Sequence, residues 1–107
     1  SEQKKSSVKF SELPRFPEVK RDLALVLDRN IRFEALKEVA LKTERNLLRS
    51  VNLFDVYEGK GVPEGKKSYA VSFILRDDSK TLNDKVIDKT MERLLAAFTK
   101  EFDARLR

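Results

Sequence analysis

Hydrophobic positions recur along this chain with two different periods, and the switches between them mark its elements. Residues 19–27 alternate, with Leu23, Leu25 and Leu27 on one side and Asp22, Ala24 and Val26 on the other, which predicts a half-buried strand. After a turn at residues 28–32 the period lengthens. Phe33, Leu36, Val39 and Ala40 share one helical face over residues 33–46, with Glu34, Lys37, Glu38 and Lys42 outside it. Residues 48–57 are rich in β-formers and predict a second strand. All three glycines of the chain then fall within residues 59–65 together with Pro63, the composition of a hairpin loop. Residues 69–75 alternate most cleanly: Tyr69, Val71, Phe73 and Leu75 face one way, Ala70, Ser72 and Ile74 the other, and Ser68 before them continues the second set. Ile87, Met91, Leu94, Leu95, Phe98 and Phe102 then form a single apolar stripe at helical spacing. Thr81 or Asn83 can cap the start of that helix, Asp84 suits its positive end and Lys100 its negative end. Residues 104–107 suffice for a short last strand. At the other end, Pro14 and Pro17 hold residues 13–17 extended, and residues 1–7 read as a linker or the end of a piece cut from a longer protein.

The order β-α-β-β-α-β is the signature of the α+β, ferredoxin-like split βαβ fold: a four-stranded antiparallel sheet with two helices on one face. Residues 8–107 are expected to form this one domain. Each strand then shows a bulky face for the helices and a small or polar face left open, with strands two and three expected as central hairpin partners. If Phe54 and Val56 turn to the core, Asp55 and Tyr57 stand in the open beside Ser68 and Ala70, with Ala24 close by on strand one. An aromatic ring, a carboxylate and a hydroxyl on a floor of small residues suit a flat polar ligand. The ring can stack on a base for ~1–3 kcal/mol, and the carboxylate can accept two hydrogen bonds from the edge of an unpaired guanine. The plainer alternative is a packing tyrosine and an Asp55 paired with Lys66 or Lys67.

Composition sharpens this picture. With neither histidine nor cysteine among 107 residues, the commonest acid–base group and the best nucleophile are missing, and disulfides are impossible. A catalytic site is not expected. The excess of 23 Lys and Arg over 18 Asp and Glu favours an anionic partner. Lys20, Arg21, Lys60, Lys66, Lys67, Arg105 and Arg107 are the cations available for phosphates, though such scattered charges also serve plain solvation. Asp77, Ser79 and Thr81 imitate the start of a calcium loop, but Leu82 stands where the loop needs glycine. A turn and a helix cap are expected there instead, and no metal. No apolar run reaches the ~20 residues of a membrane span, so cytoplasm is the default compartment.

Three stretches carry a resemblance to a known family. FDVYEGKGVPEGKKS (residues 54–68), RFPEVKRDLALVLD (residues 15–28) and RDDSKTLND (residues 76–84) resemble motifs of the ferredoxin-fold anticodon-binding domain found in bacterial phenylalanyl-tRNA synthetase β subunits. The terminal ARLR is similar to that family's A-x-L-R. The motifs stand in order and at family-like spacing across residues 8–107. The resemblance implies an RNA-binding module that contacts the anticodon of phenylalanine tRNA, whose first base is guanine. Asp55 would accept from that guanine, Tyr57 would stack on it, and Ser68 would bond its edge, with Ala24 beneath. It further implies a parent (αβ)₂ enzyme whose α subunit handles ATP, magnesium and phenylalanine. Two departures from the family's pattern, Asp103 in place of the usual glycine and Arg105 in place of a small or β-branched residue, bear on how the last strand ends and not on Asp55, Tyr57, Ser68 or Ala24.

The same topology also hosts other functions. A small-molecule regulatory module of the amino-acid-sensing type places glycine in the first βα loop, where this chain has DRNIR. An acylphosphatase-like enzyme needs a glycine-rich phosphate loop at the same point. A docking domain with its open face against a parent chain has no such requirement.

Overall fold

A computed structural model describes residues 16–107; the expectations for residues 1–7 and for Pro14 lie outside it. Six elements follow in the expected order: β1 (Val19–Asp28), α1 (Phe33–Thr43), β2 (Leu48–Tyr57), β3 (Lys66–Leu75), α2 (Asp84–Phe102) and β4 (Arg105–Leu106). The strands form one antiparallel sheet in the order β2-β3-β1-β4. β3 and β1 are therefore its centre. The expectation that β2 is also central is corrected: among the described residues β2 is an edge strand, paired with β3 alone. Alternation reports which faces are buried, and it is the same for an edge strand and a central one.

The helices cover the face built from Leu25, Leu27, Val71, Phe73 and Leu75, all with no exposed surface, and Leu36, Ala40, Leu94 and Phe98 meet them there. Phe73 and Phe98 hold the centre, their rings 6.0 Å apart. The helix ends follow from local chemistry. Asn83 rather than Thr81 caps α2, its side chain accepting from the Val86 N–H at 2.9 Å. Helix α2 ends where Asp103 turns left-handed (φ 54°), a conformation that glycine takes without cost and Asp tolerates. With Asp103 in this conformation the chain turns to lay β4 against β1.

The first helix stops three residues short of the expected 46. Its periodic pattern runs on, but Glu44 leaves the helical region and its buried carboxylate accepts from the N–H groups of Asn46 and Leu47, each at 3.1 Å. Arg93 of α2 pairs with the same carboxylate. One side chain thus closes the turn into β2 and ties the two helices together. No helix among the described residues is long and apolar enough to cross a membrane.

Candidate nucleic-acid interface

Strand pairing decides which side chains share the uncovered face, because partners directly opposite one another project to the same side. One row joins Asp55 of β2, Ala70 of β3 and Ala24 of β1. The next joins Tyr57, Ser68, Val26 and Arg105 across all four strands. Asp55, Tyr57, Ser68, Ala70 and Ala24 therefore lie together, a ring and a carboxylate at the edge of a floor of small residues. Asp55 makes no ion pair among the described residues; Lys66 is instead bonded to Asp28 at 3.2 Å.

The floor is not bare. Arg107 donates its N–H to the carbonyl of Ala24 at 2.8 Å, which continues the β4 pairing. Its guanidinium lies over the Tyr57 ring of β2, 4.4 Å from the centroid, although β2 and β4 are the two edges of the sheet. Ser68 retains only 3 % of its surface, although no helix among the described residues packs on this face. The Tyr57 hydroxyl donates to the carbonyl of Lys60 at 2.8 Å, which draws the hairpin loop against the ring. Gly59 is needed at that turn: its φ is 130°, and a Cβ there would stand 3.4 Å from the tyrosine oxygen.

The remaining cations divide. Lys66, Arg105 and Arg107 line a cavity of about 460 Å³ between the hairpin loop and β4, on the open side, with Asp103 at its rim. Lys20 is also on the open side, paired in register with Ile74. Lys60 sits in the loop beside Tyr57. Arg21 and Lys67 do not join them. Arg21 lies opposite Phe73, and Lys67 opposite Leu27, so both belong to the helix-side parity. Lys67 in fact lies over the Tyr69 ring at 4.7 Å, and that ring's hydroxyl donates into the core to the carbonyl of Ile31. The sequence carried the signal for both, since Arg21 shares its parity with Leu23 and Lys67 with Tyr69.

Phe54 contradicts its expected place in the core. The β2–β3 register slips by one residue between Leu53 and Asp55, so Phe54 is an extra residue at a bulge. Its ring is 59 % exposed. Val56 does fall opposite Tyr69, on the helix side, but it lies at the sheet edge and is 46 % exposed. Nothing in the spacing of the sequence marks such a bulge, because it arises from pairing with another strand.

The calcium-like string forms a turn. The Asp77 carboxylate accepts from the Ser79 hydroxyl at 2.7 Å and from its N–H at 2.8 Å. Those two bonds, the hydroxyl's first, hold the Asp77 carboxyl below the usual carboxylate value.

A family model, the ferredoxin-fold anticodon-binding domain, matches residues 14–107. The chain belongs to that family. The chain is similar to part of several much longer proteins. It is 52 % identical over 100 residues to the phenylalanine–tRNA ligase beta subunit of Bacteroides thetaiotaomicron, covering 94 % of this chain and 12 % of that protein. The beta subunit from Porphyromonas gingivalis is also 52 % identical, over 107 residues, with 100 % of this chain and 13 % of that protein covered. With the beta subunit from Geobacillus kaustophilus the identity is 44 % over 101 residues, 94 % of this chain and 13 % of that protein. The anticodon-binding domain thus spans about an eighth of the curated relatives it matches.

Proposed function

We propose that this anticodon-binding domain belongs to the β subunit of a phenylalanine–tRNA ligase and reads the first anticodon base of phenylalanine tRNA on its open sheet face. The observation that carries this reading is the register that lines up Asp55–Ala70–Ala24 beside Tyr57–Ser68–Val26. A guanine fits there with its face on Tyr57, its donor edge toward the Asp55 carboxylate and the Ser68 hydroxyl, and Ala24 and Ala70 beneath. Arg107 occupies the ring meanwhile. An exposed cation–π contact is worth ~0.5–1 kcal/mol, whereas a stacked base is worth ~1–3 kcal/mol. The base therefore displaces the guanidinium and frees Arg107 for the RNA backbone, which Lys60 can also meet, and Lys20, Lys66 and Arg105 can exchange their exposed carboxylate partners Asp22, Asp28 and Asp103 for phosphate. Arg21 and Lys67 contribute at most to the wider field.

The catalytic work belongs elsewhere in this reading. The rest of the β subunit and an α subunit complete an (αβ)₂ cytoplasmic enzyme, with ATP and magnesium used by the α subunit. The domain itself contributes recognition.

Asp55 and Tyr57 act separably. An acceptor facing a guanine edge distinguishes it from adenine, while a ring stacks on either base. In the full-length ligase, Asp55→Asn replaces one acceptor with a donor that faces a donor, and costs ~1–3 kcal/mol with a guanine-first tRNA and less with an adenine-first one. Tyr57→Ala raises KM for both tRNAs by similar factors. Aminoacylation of the two tRNAs by wild type and both variants decides the matter; an unchanged guanine preference in Asp55→Asn removes the proposed base contact.

A further inference from the structure

The bulge at Phe54 creates something the alternating pattern does not contain: a second aromatic ring on the open face, one residue before Asp55. Three observations put it there. The register slip leaves Phe54 and Asp55 together opposite Ala70, and a bulge of this kind re-aims the side chain of the inserted residue. The Lys20 ammonium lies 5.9 Å from the centroid of the Phe54 ring. Lys20 projects from the open face of β1, two strands away, so a ring within its reach is turned to that face. And the ring is 59 % exposed, whereas Phe73 and Phe98 have no exposed surface at all.

From these we infer that Phe54 is a second base-stacking platform, which holds the unpaired base next to the one on Tyr57. The proposal rests on the anticodon-reading function above and extends it to a neighbouring nucleotide. The two rings stand three positions apart on β2, roughly 10 Å at ~3.3 Å per residue, with the Asp55 carboxylate between them. An aromatic–carboxylate–aromatic row along one strand suits consecutive splayed bases better than a protein partner, because Lys20 and Asp55 flank the ring with charges that an apolar docking surface would have to bury. A flexible lysine ammonium is the group recorded over the ring, 5.9 Å from its centroid, and more than half of the residue's surface stays open to solvent. When a base takes that position, Lys20 is left beside the adjoining phosphate.

The test is a set of binding cycles with the full-length ligase and anticodon stem-loop RNAs, each carrying one abasic nucleotide at the first anticodon position or at a position flanking it. Phe54→Ala is expected to raise Kd about tenfold for the intact RNA, the size of one lost base stack. Phe54→Tyr, which keeps a stacking face, is expected to bind like wild type. The alanine penalty should vanish for the RNA that is abasic at one flanking position and persist for the RNA that is abasic at the first. Equal penalties on every RNA, or no penalty on the intact one, overturn the proposal. So does a Phe54→Ala enzyme that loses thermal stability or subunit assembly with unchanged RNA affinity, since that places the ring in a protein contact. Failure of the guanine reading is separately visible. Asp55→Asn then leaves base preference unchanged while the Phe54 cycle still closes on a flanking base.

Discussion

The two faces of this sheet are built from the same strands, and both bury residues, but by different means. On the helix side, Leu25, Leu27, Val71, Phe73 and Leu75 are sealed by α1 and α2, and nothing short of unfolding exposes them. On the other side, Ser68 and Ser72 are nearly as buried, at 3 % and 5 %, with no helix of the described residues above them. There the neighbouring side chains are those of the strands themselves, and Arg107, held by its N–H to Ala24, lays its guanidinium over Tyr57. The first kind of burial draws on apolar area and dispersion, whereas the contact seen on the second face is a weak cation–π one. Under the proposed function, low exposure means stability on one face and a site that base binding opens on the other.

The sharpest way to break this comparison is to cut into the helix side. Phe73→Ala removes the ring stacked at 6.0 Å on Phe98 and should destabilise the fold by ~3–5 kcal/mol in urea unfolding. A loss below ~1 kcal/mol would mean that the two faces are packed alike.

The Glu44 turn comes next. Glu44→Ala leaves the N–H groups of Asn46 and Leu47 without their acceptor in a part-buried turn and frees Arg93 of α2. A loss of ~1–3 kcal/mol is expected. Glu44→Gln, which can still accept from those two groups, should lose less, and equal losses would assign the whole effect to the charge.

On the open face the expectation inverts. Arg107→Ala removes one cation–π contact and should change stability by no more than ~1 kcal/mol, while making the Tyr57 ring and the Ser68 hydroxyl more accessible. Quenching of tyrosine fluorescence by a neutral solute should rise in the variant. A stability loss as large as that of Phe73→Ala would show that Arg107 is structural.

The smallest effect concerns pH. Because the Ser79 hydroxyl and N–H hold the Asp77 carboxyl below its ordinary value, the folded state favours the ionised form. The contribution is present above the ordinary carboxylate pKa and fades as pH falls through the lowered one. Wild type should thus lose a small part of its advantage over Asp77→Ala below about pH 4, as seen in paired thermal melts across that range. An advantage that grows on acidification would contradict the direction of the shift.

Much of this was legible in the chain. The stripe from Ile87 to Phe102 marked α2, the alternation of Tyr69, Val71, Phe73 and Leu75 marked the buried face of β3, and the same parity brought Ser68 and Ala70 to the open side. These patterns are reliable because a helix or strand repeats its own geometry at every residue, so the period of apolar residues reports the face that is buried. Asp55 and Tyr57 were legible for the same reason, although the premise used to place them, Phe54 in the core, was not met.

What only the tertiary structure decided depends on contacts between elements, which a local period does not record. Strand order put β2 at the edge rather than the centre. Pairing with β3 inserted the bulge that turned Phe54 outward. Glu44 ended α1 early because its carboxylate found Arg93 and the turn amides together. Arg107 came to rest on Tyr57 from the far side of the sheet, a contact between positions fifty residues apart that only the folded order of strands brings together. Periodicity, set by backbone geometry, determined the faces; the pairing of distant segments, set by packing and hydrogen bonding across the sheet, determined what stands on them.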